Sequence, residues 1–214
     1  MAMDEQFWHG KWQRGETAFH EAEGNPLLRR YLPALDLPAG ARLLLPLCGR
    51  TGDIGWLLAQ GYAVTGAELS RLAIEQLFAD LGLTPHITPV GPLERFDAGA
   101  LTVFVGNIFD LDHHALGEVA AIYDRAALVA LPEAMRGRYA GHLVHLTRAA
   151  PQLLIAVEYD PSLLVGPPFA VPEAEVRRHY GVAYHLTQAG RHELKDGLKG
   201  LKPAHESVWL MRPR

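Results

Sequence analysis

Two hydrophobic patterns alternate along the chain. Residues 41–45, 62–67, 101–105, 119–123 and 152–158 are short, nearly continuous apolar runs, the signature of strands buried on both faces of a parallel sheet. Between them the apolar residues recur every three or four positions. The first such segment, 25–35, carries Leu27, Leu28, Tyr31, Leu32 and Leu35, with Asn25 as N-cap and Pro26 at the first helical position. A second helix starts at Asp53 and stops at Gly61, and a third is capped by Ser70 and runs to Leu81 before Gly82. Residues 132–149 and 172–180 read as two more helices, the last opening on acids that suit the positive end of a helix dipole. Residues 182–187 and 207–211 read as a late antiparallel pair of strands.

Strand and helix in regular succession predict an α/β fold, a single doubly wound, mostly parallel sheet of seven strands closed by a terminal antiparallel hairpin. In such sheets ligands bind outside the carboxyl ends of the strands, so the loops there are the places to look for chemistry. The 214 residues suit one domain, 1–214, with 1–24 as an N-terminal segment that covers the ligand site, and no repeat or low-complexity stretch interrupts it.

A formal charge of −4 offers no attraction to nucleic acid. One cysteine, Cys48, leaves no intramolecular disulfide framework and no cysteine-rich zinc site. The start, with Asp4, Glu5, Phe7, Trp8 and His9, is not a secretory apolar core, and no run approaches a membrane span. The chain is expected to be a cytoplasmic monomer acting on a small molecule, without nucleic acid, membrane or metal partners.

The loop Leu47-Cys48-Gly49-Arg50-Thr51-Gly52-Asp53 joins the first strand to its helix, where a ligand must come close to the main chain and small residues are needed. A tight turn with no ligand has the same composition. The loop departs from G-x-G-x-x-G, because Leu47 stands where the first glycine would be. Glu68 ends the second strand, 19 positions after Gly49, where a carboxylate can accept both hydroxyls of an adenosine ribose; a solvated loop acid is the bland alternative. After the third strand, Gly106-Asn107-Ile108-Phe109-Asp110 can flank an adenine or be an ordinary polar turn. Asp124-Arg125, just after the fourth strand, offers either an ion pair facing the substrate crevice or a structural salt bridge. Trp8 and Trp12 share a face if their segment is helical, and can cover a flat or cationic ligand or simply pack on the core. His113, His114, His142 and His145 lack zinc-site spacing and read as structural or solvent-facing, and Cys48 reads as a small packing residue.

Taken together, Phe7-Trp8-x-x-Lys11-Trp12, Gly15-x-Thr17-Ala18-Phe19-His20, Pro46-Leu47-Cys48-Gly49, Gly66-x-Glu68, Ile108-Phe109-Asp110, Asp124-Arg125-x-Ala127-Leu128-Val129, Tyr159-Asp160-Pro161 and Gly166-Pro167-Pro168-Phe169 resemble the thiopurine S-methyltransferase family, of bacterial type, among the class I S-adenosylmethionine-dependent methyltransferases. The resemblance runs in order from Phe7 to about Tyr180. It implies S-adenosyl-L-methionine as cofactor and S-adenosyl-L-homocysteine as product. It further implies that Trp8, Trp12 and the segment through Phe19 cover the cofactor, and that Leu47, Gly49 and Leu69 line it. Glu68 would then hold the ribose, Asn107 and Ile108 border the adenine, and Arg125 reach the cofactor or substrate region. Phe19 would touch an aromatic thiol acceptor, with selenium or tellurium species as further acceptors. In this reading Arg125 and Asp124 carry catalysis by orientation and charge complement, and Lys195 is a candidate second cation. Two rivals share the glycine loop and Glu68. A nicotinamide-dependent reductase lacks its Tyr-x-x-x-Lys here, since Leu143 follows Tyr139 and Tyr184 follows Tyr180 at that spacing; a non-catalytic adenosyl-ligand regulator would need no acceptor pocket.

Overall fold

The computed structural model describes residues 5–16 and 24–214. They form two compact units, one ending at Ala121 and the other Ile122–Arg214. The first contains α1 (Glu5–Gln13), α2 (Pro26–Tyr31), β1 (Arg42–Pro46), α3 (Gly52–Ala59), β2 (Ala63–Glu68), α4 (Arg71–Asp80), β3 (His86–Val90), β4 (Leu93–Ala98), β5 (Leu101–Val105) and α5 (His113–Leu116). Its strands run in the order β3-β4-β5-β2-β1. β1, β2 and β5 are parallel, with Leu45 opposite Gly66 and Gly66 opposite Val103, while β3, β4 and β5 form an antiparallel meander.

Local chemistry sets the boundaries. The Asn25 side chain accepts the Leu27 N–H at 2.8 Å, and Thr51 and Ser70 cap α3 and α4 in the same way. α2 stops short of the expected Leu35 because Pro33 has no N–H to donate; the chain tightens into a 3-10 turn, Leu32–Leu35, and leaves it through Asp36 at φ 53°. Leu43, Leu44, Val64 and Val103 of the parallel strands are completely or almost completely buried, as their unbroken apolar sequences require.

The second unit contains β6 (Ala121–Arg125, whose first residue closes the preceding unit), α6 (Glu133–Thr147), β7 (Gln152–Glu158), α7 (Glu173–Tyr180), β8 (Tyr184–Glu193) and β9 (His205–Pro213). Its strands lie in the order β6-β7-β9-β8, with β6 and β7 parallel and the other pairs antiparallel. The α/β class and the terminal antiparallel pair are as expected. The count is not: nine strands, rather than seven, occur among the described residues. The two additional ones are β3 and β4, a hairpin at the edge of the sheet whose polar sequences and Pro89 give no buried-strand signal, although Leu93 and Phe96 of β4 are buried. β6 also lies two residues later than expected, so Asp124 and Arg125 end the strand instead of following it.

Inside the second unit Arg136 of α6 and Glu175 of α7 form a buried bidentate pair at 2.5 and 3.1 Å, while Arg136 also donates to the Leu131 carbonyl at 3.0 Å. The same guanidinium lies 5.8 Å from the Phe169 ring, and the Phe169 N–H donates to the Val129 carbonyl at 2.7 Å. One arginine thus joins two helices and the loop after β7. Arg136→Ala leaves the Glu175 carboxylate buried without its main partner and is expected to lower the unfolding free energy by roughly 3 kcal/mol in urea titration, whereas Arg136→Met with Glu175→Leu recovers most of that loss.

Candidate active site

The carboxyl ends of β1, β2 and β5 lie side by side, and the loops leaving them build one site. Beyond β1 the chain turns sharply: Leu47 has φ 47° and Gly49 φ 54°. A leucine held in the left-handed region costs about 1 kcal/mol or more and needs compensation. That comes from neighbouring strand ends. The Cys48 N–H donates to the Ala67 carbonyl at 3.1 Å, and the Gly49 N–H donates to Glu68 Oε2 at 2.8 Å.

Glu68 is 6% exposed, and its other oxygen, Oε1, accepts the Ser70 N–H at 2.8 Å. Burial pushes this carboxyl above its ordinary range, against the opposing pull of the backbone N–H groups of Ser70, Gly49 and Leu69. Cys48 is buried beside it, its Sγ filling the space a Cβ on Gly66 would need. Burial first, and the Glu68 charge second, push the thiol far up, so Cys48 is a packing residue and not a thiolate nucleophile.

α1 lies over these strand ends. The Trp12 indole is buried against Gly49, where a Cβ would come within 3.0 Å of the ring, and Asn107 Nδ2 donates to Glu5 Oε1 at 2.8 Å. Asn107 also caps the short turn Ile108–Asp110 by accepting the Phe109 N–H at 3.0 Å, and Ile108 is buried. Trp8, half-buried on the same helix, meets Phe7 edge-on at 5.3 Å. Leu69 is half-buried between Glu68 and Ser70. Trp12, Gly49, Glu68, Asn107 and Ile108, named from sequence, therefore come together in one unit. Phe19 lies outside the described residues.

Two participants had no signal of their own. Glu5 is merely one of two adjacent acids before an aromatic stretch. Asp53 is buried, and its Oδ1 accepts the Asn25 N–H at 2.6 Å while Oδ2 accepts the Thr51 hydroxyl at 3.2 Å, anchoring the start of α2 to α3. The Gly24–Asp53 contact leaves no room for a side chain at position 24.

In the second unit Asp124 is fully buried at the end of β6. Its Oδ1 accepts the Leu128 N–H at 3.1 Å and its Oδ2 accepts the Tyr139 hydroxyl at 2.8 Å. Arg125 follows it, half-buried, and Ala126 then takes φ 62°. Burial raises the Asp124 carboxyl from its ordinary 3.8 to about 6, opposed by the donors from Leu128, Tyr139 and Ala127. Lys195 is exposed; Lys199 instead reaches the Gly166-Pro167-Pro168 loop, donating to the Pro167 carbonyl at 2.8 Å. Among the described residues no group of three or more His, Cys, Asp or Glu is placed to hold a metal, and no helix is long and apolar enough to cross a membrane.

The model of the family described as Thiopurine S-methyltransferase matches residues 3–213. The chain is 54% identical over 207 residues to a thiopurine S-methyltransferase of Gluconobacter oxydans (strain 621H), covering 97% of this chain and 94% of that one. It is 50% identical over 210 residues to one from Xanthobacter autotrophicus, covering 98% and 99%. Among solved structures it is similar to the 1,6-didemethyltoxoflavin-N1-methyltransferase of Burkholderia thailandensis, which has 1,6-didemethyltoxoflavin and S-adenosylhomocysteine bound, with TM-score 0.67, 18% identity, and coverage of 98% of this chain and 86% of that one. The magnesium protoporphyrin IX methyltransferase of Synechocystis PCC 6803, with bound SAH, gives TM-score 0.64 at 13% identity and coverage of 98% and 100%. At such identities these structures speak for the fold.

Two substitutions test the electrostatics and sterics of this region. Gly49→Ala meets both the positive φ and the Trp12 ring, and is expected to lower stability by about 1–2 kcal/mol in urea titration. At Asp124 the folded state holds its proton more tightly than the unfolded chain, so the stability from this group is full at low pH, falls as pH rises from about 4 to about 6, and is absent above, a change of roughly 3 kcal/mol. Asp124→Asn removes that dependence. The wild type is therefore expected to lose stability relative to Asp124→Asn across this interval, measured by paired urea titrations at the two ends.

Proposed function

Because the chain belongs to the thiopurine S-methyltransferase family, whose enzymes use S-adenosyl-L-methionine, we propose that it methylates the sulfur of aromatic or heterocyclic thiols, with selenium or tellurium species as further acceptors and metalloid detoxification as one use. The observation that carries the reading is the buried Glu68 carboxylate at the end of β2, fixed by Gly49 beside it and roofed by the helix that carries Trp12. Such a group fits an adenosyl ligand. The carboxylate is desolvated, its backbone donors do not exhaust its lone pairs, and the two ribose hydroxyls are the missing donors.

S-adenosyl-L-methionine supplies an electrophilic methyl group on a sulfonium and leaves as S-adenosyl-L-homocysteine. The rest is work for the chain's own residues. Glu68 holds the ribose; Leu47, Gly49 and Leu69 line that side; Asn107 and Ile108 border the adenine; and the faces of Trp8 and Trp12 favour positive charge while excluding water. An acidic thiol needs no strong base, only complement for its anion, and Arg125 provides it with Asp124 fixing the turn from which it projects. Phe19 is proposed to contact the aromatic acceptor. A lone, buried and free Cys48 suits the reducing cytoplasm in which this chemistry is proposed to take place.

Calorimetric titration with S-adenosyl-L-methionine, S-adenosyl-L-homocysteine and reduced nicotinamide cofactor tests the site. The adenosyl ligands are expected to bind, and Glu68→Ala to weaken them by about 1–3 kcal/mol. Turnover on a panel of thiol, selenium and tellurium acceptors then identifies the substrate. Binding without turnover on any of them would favour a non-catalytic regulator instead.

A further inference from the structure

The Arg125 turn is held from inside its own unit. Asp124 ends β6 with no exposure, and its two oxygens are claimed by different elements: Leu128 N–H from the turn itself and Tyr139 O–H from α6, fifteen residues on. Between them Ala127 and Leu128 are completely buried, and Ala126 stands in the left-handed region at φ 62°. A non-glycine residue stays there only where its surroundings over-determine it. Here the carboxylate collects N–H groups from the far side of the strained residue, and the phenol fixes the carboxylate.

From this geometry we infer that Tyr139 is a positioning residue for methyl transfer, holding the Arg125 turn in its working shape through the Asp124 carboxylate. The inference rests on the methyltransferase reading above, in which Arg125 complements the acceptor anion. It assigns Tyr139 no contact with substrate or cofactor.

Proton occupancy follows. The groups facing the carboxylate are Tyr139 from α6, Tyr180 from α7, and the N–H groups of Ala127 and Leu128. Burial keeps both phenols far above their ordinary range, so Tyr139 remains a donor at every working pH. An ionised Asp124 accepts on both oxygens; protonation, although it favours the folded state as a whole, reverses the bond to Tyr139 and removes the charge that draws in the Ala127 and Leu128 N–H groups. Since Asp124 titrates at about 6, the working arrangement is complete above that pH and lost below it.

The test compares wild type, Tyr139→Phe and Asp124→Asn, following kcat and KM for one thiol acceptor from about pH 5 to about pH 9. The acceptor's own titration is common to all three, so differences between the curves belong to the protein. Tyr139→Phe is expected to lower kcat/KM about 3- to 30-fold near neutral pH and to move the acid limb upward by about half to one pH unit, because the ionised carboxylate has lost a donor. S-adenosyl-L-homocysteine affinity should change less than about twofold. Asp124→Asn should abolish the part of the limb that Tyr139→Phe moves. Carboxylate NMR of Asp124 gives the same shift without turnover, its titration midpoint rising in Tyr139→Phe. Should Tyr139→Phe fail to fold, Tyr139→3-fluorotyrosine keeps the hydroxyl as a stronger donor and should move limb and midpoint downward. The inference is overturned by a Tyr139→Phe enzyme with the wild-type limb and kcat/KM, even if its melting temperature falls, or by a midpoint that neither variant moves. Wild-type turnover is scored separately: its absence defeats the thiol reading, while the NMR midpoint still decides whether Tyr139 governs Asp124.

Discussion

A carboxylate taken out of water must be given donors, and Glu68 receives them from the main chain on either side of it. Its 2.8 Å bonds to the N–H groups of Gly49 and Ser70 tie the loop after β1 to the end of β2 and to the start of α4. Much of the local conformation follows. The Gly49 N–H can point at the acid only if the chain reverses within a few residues of β1, and Leu47 and Gly49 take positive φ to do so. The reversal brings Cys48 beneath the loop, where only a residue without a Cβ fits opposite, and Gly66 is there. Without an acid at position 68, the strained Leu47 turn would lose its counterweight.

Asp124 repeats the device with a different outcome. It too ends a parallel strand, is buried, and gathers a backbone N–H from the turn that follows. Its second oxygen, however, is filled by a phenol from a helix, whereas both Glu68 oxygens are held by backbone of adjacent loops. Both carboxylates accept backbone N–H groups from the chain beside them, and only Asp124 adds a side-chain donor from a helix. The same residue chemistry thus ties a loop to a strand end in one place and a turn to a helix in the other, and the partner on the second oxygen makes the difference.

Much of this was legible in the sequence. Asn25, Pro26 and Ser70 act at helix starts as their residue types predict, and the parallel strands follow the continuous apolar runs. The pattern failed where polarity and burial part company. β3 and β4 are too polar to look like strands because they form an edge hairpin, and β6 seemed to stop at Tyr123 because a buried Asp124 reads as a loop acid until its donors are seen. β8 continues to Glu193 through alternating polar residues on an outer strand, past the end that hydrophobicity alone suggests. At the site, Glu68 and Gly49 were visible as a spacing, while Glu5, Asp53 and Tyr139 were not: each acts across a distance in sequence that no local pattern encodes.

The dimensions of α1 explain why that helix can serve the site at all. β5, β2 and β1 are consecutive neighbours, so the loops leaving β5 and β1 are two strand spacings apart, about 9.6 Å. Glu5 and Trp12 are seven residues apart on a helix, a rise of about 10.5 Å. The match lets one helix bond Asn107 after β5 with its first turn and cover Gly49 after β1 with its last, and the span between these anchors passes over the end of β2, where Glu68 sits. Trp12 is the one fully buried residue of α1. Its burial against Gly49 and the Glu5–Asn107 bond hold α1 at both ends across the Glu68 strand end.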